Sequence, residues 1–216
     1  MKKYKYGTPG RVLNYAAPVY DIFMNFFLNN YDKKTAELIY SDISKICKAN
    51  YLLDIGCGTG SITGILSKKL NNGFCVGIDA APKMIQIAVK KNYQVKNAAF
   101  INTVSENLPF DNESFDCVIN TMFLHHIPYD SKIRTFKEIY RILKHGGVAY
   151  TIDFSKPENI AGKLFLKSSA FLLAQNEIAE NAKYSLDYFL NITGFKNVSI
   201  TNLKFGIIYK IIGVKP

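Results

Sequence analysis

Tyr51-Leu52-Leu53-Asp54-Ile55-Gly56-Cys57-Gly58-Thr59-Gly60 runs from a short apolar segment into a cluster of glycines. The first half reads as a buried β-strand. The second reads as the turn that hands it to a helix over Ser61 to Leu70. Glycines at such a turn take backbone angles that other residues resist, and they let a ligand approach the main chain. The helix start beyond offers unpaired N–H groups to an anionic or polar ligand. A tight turn with no ligand would need the glycines but not the acids that accompany them.

Outward from this stretch the chain alternates. Phe74 to Ile78 reads as a second strand ending at Asp79. Pro82 suits the first turn of a helix to Lys91. Ala98 to Asn102 and Phe115 to Ile119 read as strands three and four. Ser131 opens a helix to Leu143, Gly146-Gly147 makes a turn, and Val148 to Phe154 is strand five. Strands alternating with helices of about ten residues imply right-handed βαβ units. Upstream, Asp32 is the expected N-cap of a helix reaching Lys48. The aromatic-rich start (Tyr4, Tyr6, Tyr15, Tyr20, Phe23, Phe26, Phe27) suggests a helical cap over residues 1–48. Downstream, Ile160 to Leu190 reads as helical, in two pieces. Asn197 to Leu203 and Gly206 to Val214 read as a terminal antiparallel hairpin. The expected fold is α/β and Rossmann-like: a mainly parallel seven-stranded sheet, helices on both faces, and a C-terminal hairpin. One domain over 1–216 would hold the cap, a core over 50–155, an insert over 158–191 and the hairpin over 197–214.

A glycine pattern of this kind can serve NAD, FAD or S-adenosylmethionine. Two carboxylates choose among them. Asp79, about 20 residues on at the end of strand two, suits the hydroxyls of a ribose. Asp54 sits before the glycines, where a dinucleotide's pyrophosphate would repel it. A carboxylate there suits the cationic amino-acid end of S-adenosylmethionine, and the loop also departs from GxGxxG. A nicotinamide oxidoreductase is disfavoured on both counts.

On these residues the segment resembles motif I of class I S-adenosylmethionine-dependent methyltransferases. Gly77-Ile78-Asp79-Ala80-Ala81-Pro82-Lys83-Met84 is similar to motif II. Leu108-Pro109-Phe110 with Ser114-Phe115-Asp116, and Glu138 to Gly147 with His145 where proline is usual, extend the likeness over residues 50 to 155. The resemblance implies S-adenosylmethionine as cofactor and S-adenosylhomocysteine as its product. It implies that Asp54 and the loop Gly56, Cys57, Gly58, Thr59 and Gly60 hold the methionine portion. Asp79 would bind the ribose, Ala80 and Met84 would pack on the adenine, and Ser105 would meet its edge. Asn120 and Thr121, at the end of strand four, complete the expected set. Val104 is a departure, because the family often has an acid there; Glu106 is the substitute at hand. Tyr20, in an "A-x-x-YD"-like entry, is expected to close over the cofactor.

Ile152-Asp153-Phe154-Ser155-Lys156-Pro157 and Gly194 to Val198 are similar to segments of the ubiquinone/menaquinone C-methyltransferases. However, Met122-Phe123-Leu124-His125-His126 replaces that family's "FGLRN", and its "WK" segment is absent. The expected activity is methyl transfer to a small, hydrophobic or aromatic molecule. A demethylmenaquinone or other quinone C-methyltransferase, or a non-catalytic module that binds S-adenosylmethionine, stands as the alternative. His125 and His126 are the candidates for base chemistry, because an imidazole titrates near neutral pH. Their alternative is one structural and one solvent-facing histidine.

The composition sets the setting. Of 216 residues, 48% are hydrophobic and 20% charged, an ordinary globular mix. Cys47, Cys57, Cys75 and Cys117 form no CxxC pair, so neither a zinc site nor a disulfide framework is expected, and a cytoplasmic protein is. Met1 to Lys5 is basic without an apolar segment behind it. The apolar stretch Leu164 to Ala174 is broken by Lys167, Ser168 and Ser169, short of the roughly 18 residues that span a bilayer. The formal charge of +10 comes from scattered lysines. A solvated lysine surface is the plainest reading; attraction to an anionic membrane surface or substrate comes next, and nucleic acid last.

Overall fold

The computed structural model describes residues 5, 7–8, 13–14, 30–70, 72–160, 162–164, 184–204 and 206–216. Its elements are α1 (Tyr31–Ile46), β1 (Tyr51–Ile55), α2 (Ser61–Lys69), β2 (Phe74–Asp79), α3 (Pro82–Lys91), β3 (Ala98–Asn102), β4 (Phe115–Thr121), a 3-10 turn (Leu124–His126), α4 (Tyr129–Ile142), β5 (Leu143–Phe154), α5 (Leu186–Ile192), β6 (Lys196–Lys204) and β7 (Ile208–Val214). The strands form one seven-stranded sheet in the order β3-β2-β1-β4-β5-β7-β6. β1 to β5 are parallel, and β7 lies antiparallel between β5 and β6. The expected Rossmann-like architecture with a terminal hairpin is therefore present.

The alternation along each strand builds two apolar layers. Leu53, Ile55, Val118 and Ala149 point to the side covered by α4 and α5, where Phe136, Ile139, Phe189 and Leu190 complete a core. Leu52, Cys117, Ile119, Val148 and Tyr150 point the other way, onto Ala36, Ile39 and Ile43 of α1 and Ile62 and Leu66 of α2. Tyr150, fully buried, donates its hydroxyl to Asp42 of α1 at 2.9 Å, and Lys210 of β7 meets the same carboxylate at 2.9 Å. That ion pair ties α1 to the sheet.

Several expected boundaries move. The N-cap of α1 is Asn30, in the left-handed conformation at φ 60°, and Asp32 lies inside the first turn. Asn adopts that conformation more readily than most residues. α4 begins at Tyr129, two residues early, because Pro128 at its N-cap fixes φ at −68°. β4 runs on to Thr121, paired with β5 through Asn120↔Thr151 and Thr121↔Ile152. Gly146 and Gly147 lie within β5 rather than before it, at a shift in register between Phe115↔Leu143 and Cys117↔Val148. Of the expected helical insert, Gly162 to Leu164 is helical, and α5 extends past Leu190 to Ile192. The stretch between, most of the N-terminal cap, and Tyr20 lie outside the described residues. No helix among the described residues is long and apolar enough to cross a membrane.

Candidate active site

The sheet order reverses between β1 and β4, so the connections leaving these neighbours diverge and leave a crevice at their carboxyl ends. The glycine loop fills the rim of this crevice. Gly56, Gly58 and Gly60 all have positive φ, at 73°, 54° and 73°. A Cβ on Gly56 would lie 2.5 Å from the Phe123 ring, and one on Gly60 would lie 2.6 Å from the Phe100 ring. Both positions therefore exclude side chains for conformation and for space.

Two adjoining recesses open on either side of the loop. One is lined by Gly58, Asp79, Ala80, Met84, Thr103, Ser105, Glu106, Phe123 and His126, with Thr8 and Leu13 from the N-terminal segment. The other is lined by Tyr31 and Asp32 of α1, Cys57, Thr59, Ser61 and Thr121. Gly56, Gly58 and Met122 border both. Met122 has a left-handed backbone, φ 50°, and its N–H still bonds the Ile152 carbonyl at 2.8 Å. A non-glycine residue held there at the end of a strand bends the chain out of the ladder and over the crevice.

The acids sit as their strands dictate. Asp79 accepts from the Gly58 N–H at 3.0 Å and from the Ala81 N–H at 2.8 Å, so it braces the loop while lining the cleft. Burial pushes its pKa up, and those two N–H groups offset part of the rise. Asp54 does not line the cleft. It lies beneath the loop, 1% exposed, and one oxygen accepts from Thr63 at 2.6 Å. Burial lifts its pKa to about 7, with the Thr63 hydroxyl opposing and Asp79 and Asp32 adding to the rise. Burial also pushes the Cys57 thiol well up, and Asp54 and Asp79 add to that, so Cys57 is a neutral thiol and no nucleophile.

Some buried polar atoms near the glycine loop are left without partners. Among the described residues these are the Tyr31 hydroxyl, Asp54 Oδ1 and Asn120 Oδ1. All three lie around the glycine loop: Asn120 pairs with Ile55 across β1 and β4, and Tyr31 lines the second recess. Asn120 spends its amide N–H on Thr151 at 3.0 Å and leaves its oxygen unused. Two of the three are oxygen acceptors. They create a negative, donor-seeking field under the loop, which a ligand carrying an ammonium group would answer. This acceptor character behind the loop suits the cationic amino-acid end of S-adenosylmethionine above it, and a carboxylate beneath the loop does not suit a pyrophosphate. Among the described residues no cluster of His, Cys, Asp and Glu could hold a metal ion.

The two histidines part company. His125 is buried, and its Nδ1 lies 2.7 Å from Asp153 at the end of β5. Asp153 also accepts from the Leu124 and Phe154 N–H groups. Burial works to raise the Asp153 pKa, yet it lies below its ordinary value because the His125 charge and hydrogen bond outweigh burial. His125 thus clamps the 3-10 turn to β5 and does not line the cleft. His126, its ring 4.0 Å from that of His125, does. Of the other expected site residues, Gly60 and Val104 stand behind the lining. The sequence reading missed Thr8, Leu13, Tyr31, Thr103, Met122 and Phe123. Thr103 was reachable as the first residue past β3; the N-terminal residues carried no local signal.

Residues 52–147 match the family described as methyltransferase domain. The chain is 29% identical over 182 residues to the demethylmenaquinone methyltransferase of Staphylococcus saprophyticus, covering 76% of this chain and 77% of that one. It is 27% identical over 224 aligned residues to the protein of the same name from Staphylococcus aureus strain Newman, covering 95% and 92%. Among solved structures it is similar to a SAM-dependent methyltransferase from Aquifex aeolicus (TM-score 0.61, 17% identity, 84% of this chain and 89% of that one). It is also similar to phosphoethanolamine N-methyltransferase 2 of Haemonchus contortus, solved with S-adenosylhomocysteine (TM-score 0.75, 16% identity, 94% and 58%). At these identities the structural likeness shows the fold.

Proposed function

We propose that this chain, a class I S-adenosylmethionine-dependent methyltransferase, methylates a small apolar or aromatic acceptor bound over Met122, Phe123 and Ile127. The observation that carries this reading is the division of the cleft. The glycine loop and Asp79 form one wall. The opposite wall beyond β4 is apolar except for His126. When bound, S-adenosylmethionine supplies a methyl group made electrophilic by its sulfonium. The chain's own residues then have three tasks. The loop, braced by Asp79, fixes the donor end, and the buried Asp54 and Asn120 oxygens act on its ammonium only through the field behind the loop. Phe123, Ile127 and Leu13 exclude water and orient a flat acceptor. His126 accepts the proton that the acceptor's hydroxyl or amine releases.

The quinol reading has specific support in the names of the Staphylococcus relatives. A demethylated hydroquinone is flat, apolar and acidic enough to give a proton to an imidazole. It would come from a membrane surface, to which a cytoplasmic protein of charge +10 is drawn. The test is incubation with methyl-labelled cofactor and a panel of phenols, amines and reduced naphthoquinones, read by mass spectrometry. Label transferred to an aromatic acceptor supports the proposal, and transfer to the reduced naphthoquinone supports its narrower form. Label transferred only to polar amines would overturn both.

A further inference from the structure

At the end of the sheet opposite the cleft, α1 runs out just before β1 begins, and the chain between them frames a hollow. It lies against the last turn of α1 and the end of α2 and measures about 450 Å³. Small-molecule sites fall between roughly 300 and 1,000 Å³ and are mostly apolar, with a few polar groups that fix orientation. The apolar surface here comes from Tyr40, Ile43, Ile46, Ala49 and Leu70. Ile43 is a buried floor, whereas Ile46 is 44% exposed, left open where α1 packs on the sheet.

The rim carries charge of one sign. Lys45 and Lys48 line the hollow, and the Lys69 ammonium stands 5.5 Å from the centre of the Tyr40 ring. None of the lining residues is an acid. Asp116, behind Asn50, is committed: it accepts from the Asn50 and Tyr51 N–H groups at 2.9 and 2.8 Å and pairs with Lys144 at 2.7 Å. α1 and α2 both end here, and each helix carboxyl end brings about half a negative charge. The three lysines outweigh these ends, leaving a surplus of about two positive charges.

An apolar floor under a positive rim is complementary to a molecule with one apolar tail and one anionic head. We propose that this hollow binds a medium-chain fatty acid. The tail lies over Ile43, Ile46 and Leu70, and Lys45 and Lys48 hold the carboxylate. The hollow is concave and framed by two helix ends, so it suits a single tail rather than the flat surface of a bilayer. The five residues of β1 separate it from the glycine loop, a distance of roughly 16 Å, so it is independent of the cleft.

The experiment is calorimetric titration of hexanoate, octanoate, decanoate and octanol into the full chain. Affinity is expected to rise along the carboxylate series by up to about fourfold per methylene buried. Lys45→Glu/Lys48→Glu should weaken octanoate by ~10-fold and leave octanol unchanged, while Ile46→Asp weakens both. In the wild type, bound decanoate should slow alkylation of Cys47, which lines the hollow, and not of Cys57 in the glycine loop. Any of four results overturns the inference: no decanoate binding at millimolar concentration, displacement of decanoate by S-adenosylhomocysteine, an unprotected Cys47, or an equal response of octanoate and octanol to the double substitution.

Discussion

At the loop end of the cleft, Gly56, Gly58 and Gly60 present backbone, and a single acid, Asp79, fastens the loop through two N–H groups. At the end beyond β4, the surface is made of side chains: Met122, Phe123, His126 and Ile127, with His125 and Asp153 behind them. The first is geometry written into a few consecutive residues. The second depends on a buried His125–Asp153 hydrogen bond between residues 28 apart and on a turn held in a left-handed conformation. The loop end is shaped by backbone at three glycines, while the end beyond β4 is shaped by side chains. The two ends should therefore fail differently when altered.

The loop end should break most completely. Gly60→Val puts branched atoms into the Phe100 ring at a positive φ, and it is expected to abolish S-adenosylhomocysteine binding and destabilise the fold by about 3 kcal/mol or more. Calorimetry and urea unfolding check this; a variant that binds normally would show that the loop does not need its shape.

At the other end, His125→Ala leaves Asp153 buried without its imidazole partner. Leaving a buried polar group unpaired costs about 1–3 kcal/mol, more where it is charged, and urea unfolding should show a loss of at least that size. Because Asp153 is held low, the stabilisation it gives is present above the unfolded carboxylate value, about 3.9, and disappears as pH falls below it. His125→Ala should therefore remove part of the acid dependence of stability.

His126→Ala sharpens the contrast. It should reduce kcat by about 100-fold with an acceptor whose proton must be removed, and leave the melting temperature and S-adenosylhomocysteine affinity unchanged. Equal losses in affinity would mean that His126 belongs to the loop end after all.

The smallest effect is on pH. Asp54 has a folded pKa of about 7, above its unfolded value, so the folded protein holds the extra proton between about 4 and 7. Stability of the free protein should therefore fall as pH rises through that window. A cationic ligand favours the ionised form, so affinity for S-adenosylhomocysteine should weaken below pH 7, by up to about tenfold per unit. Asp54→Asn should flatten both dependences, measured by thermal unfolding and by calorimetry across pH.

The same contrast governs what the sequence made readable. β1, the loop and Asp79 announce themselves, because strand, turn and acid are local in the chain and each has a fixed backbone task. The roles of His125 and His126 were not separable: consecutive residues look alike until β5 brings Asp153 to one of them. Thr8 and Leu13 were invisible as site residues, since their partners Glu106 and Met84 lie 98 and 71 positions away. Asp54, expected to help hold the methionine portion, lies beneath the loop rather than on the lining of either recess. Its strand alternation, shared with Leu52, turns it toward α2 and Thr63.

The most direct test of the account is titration of S-adenosylhomocysteine into the wild type and Asp79→Ala, with NAD as control. The account predicts micromolar binding to the wild type, a loss of at least about tenfold in the variant, and no binding of NAD. Equal affinity in both proteins, or a preference for NAD, would contradict it.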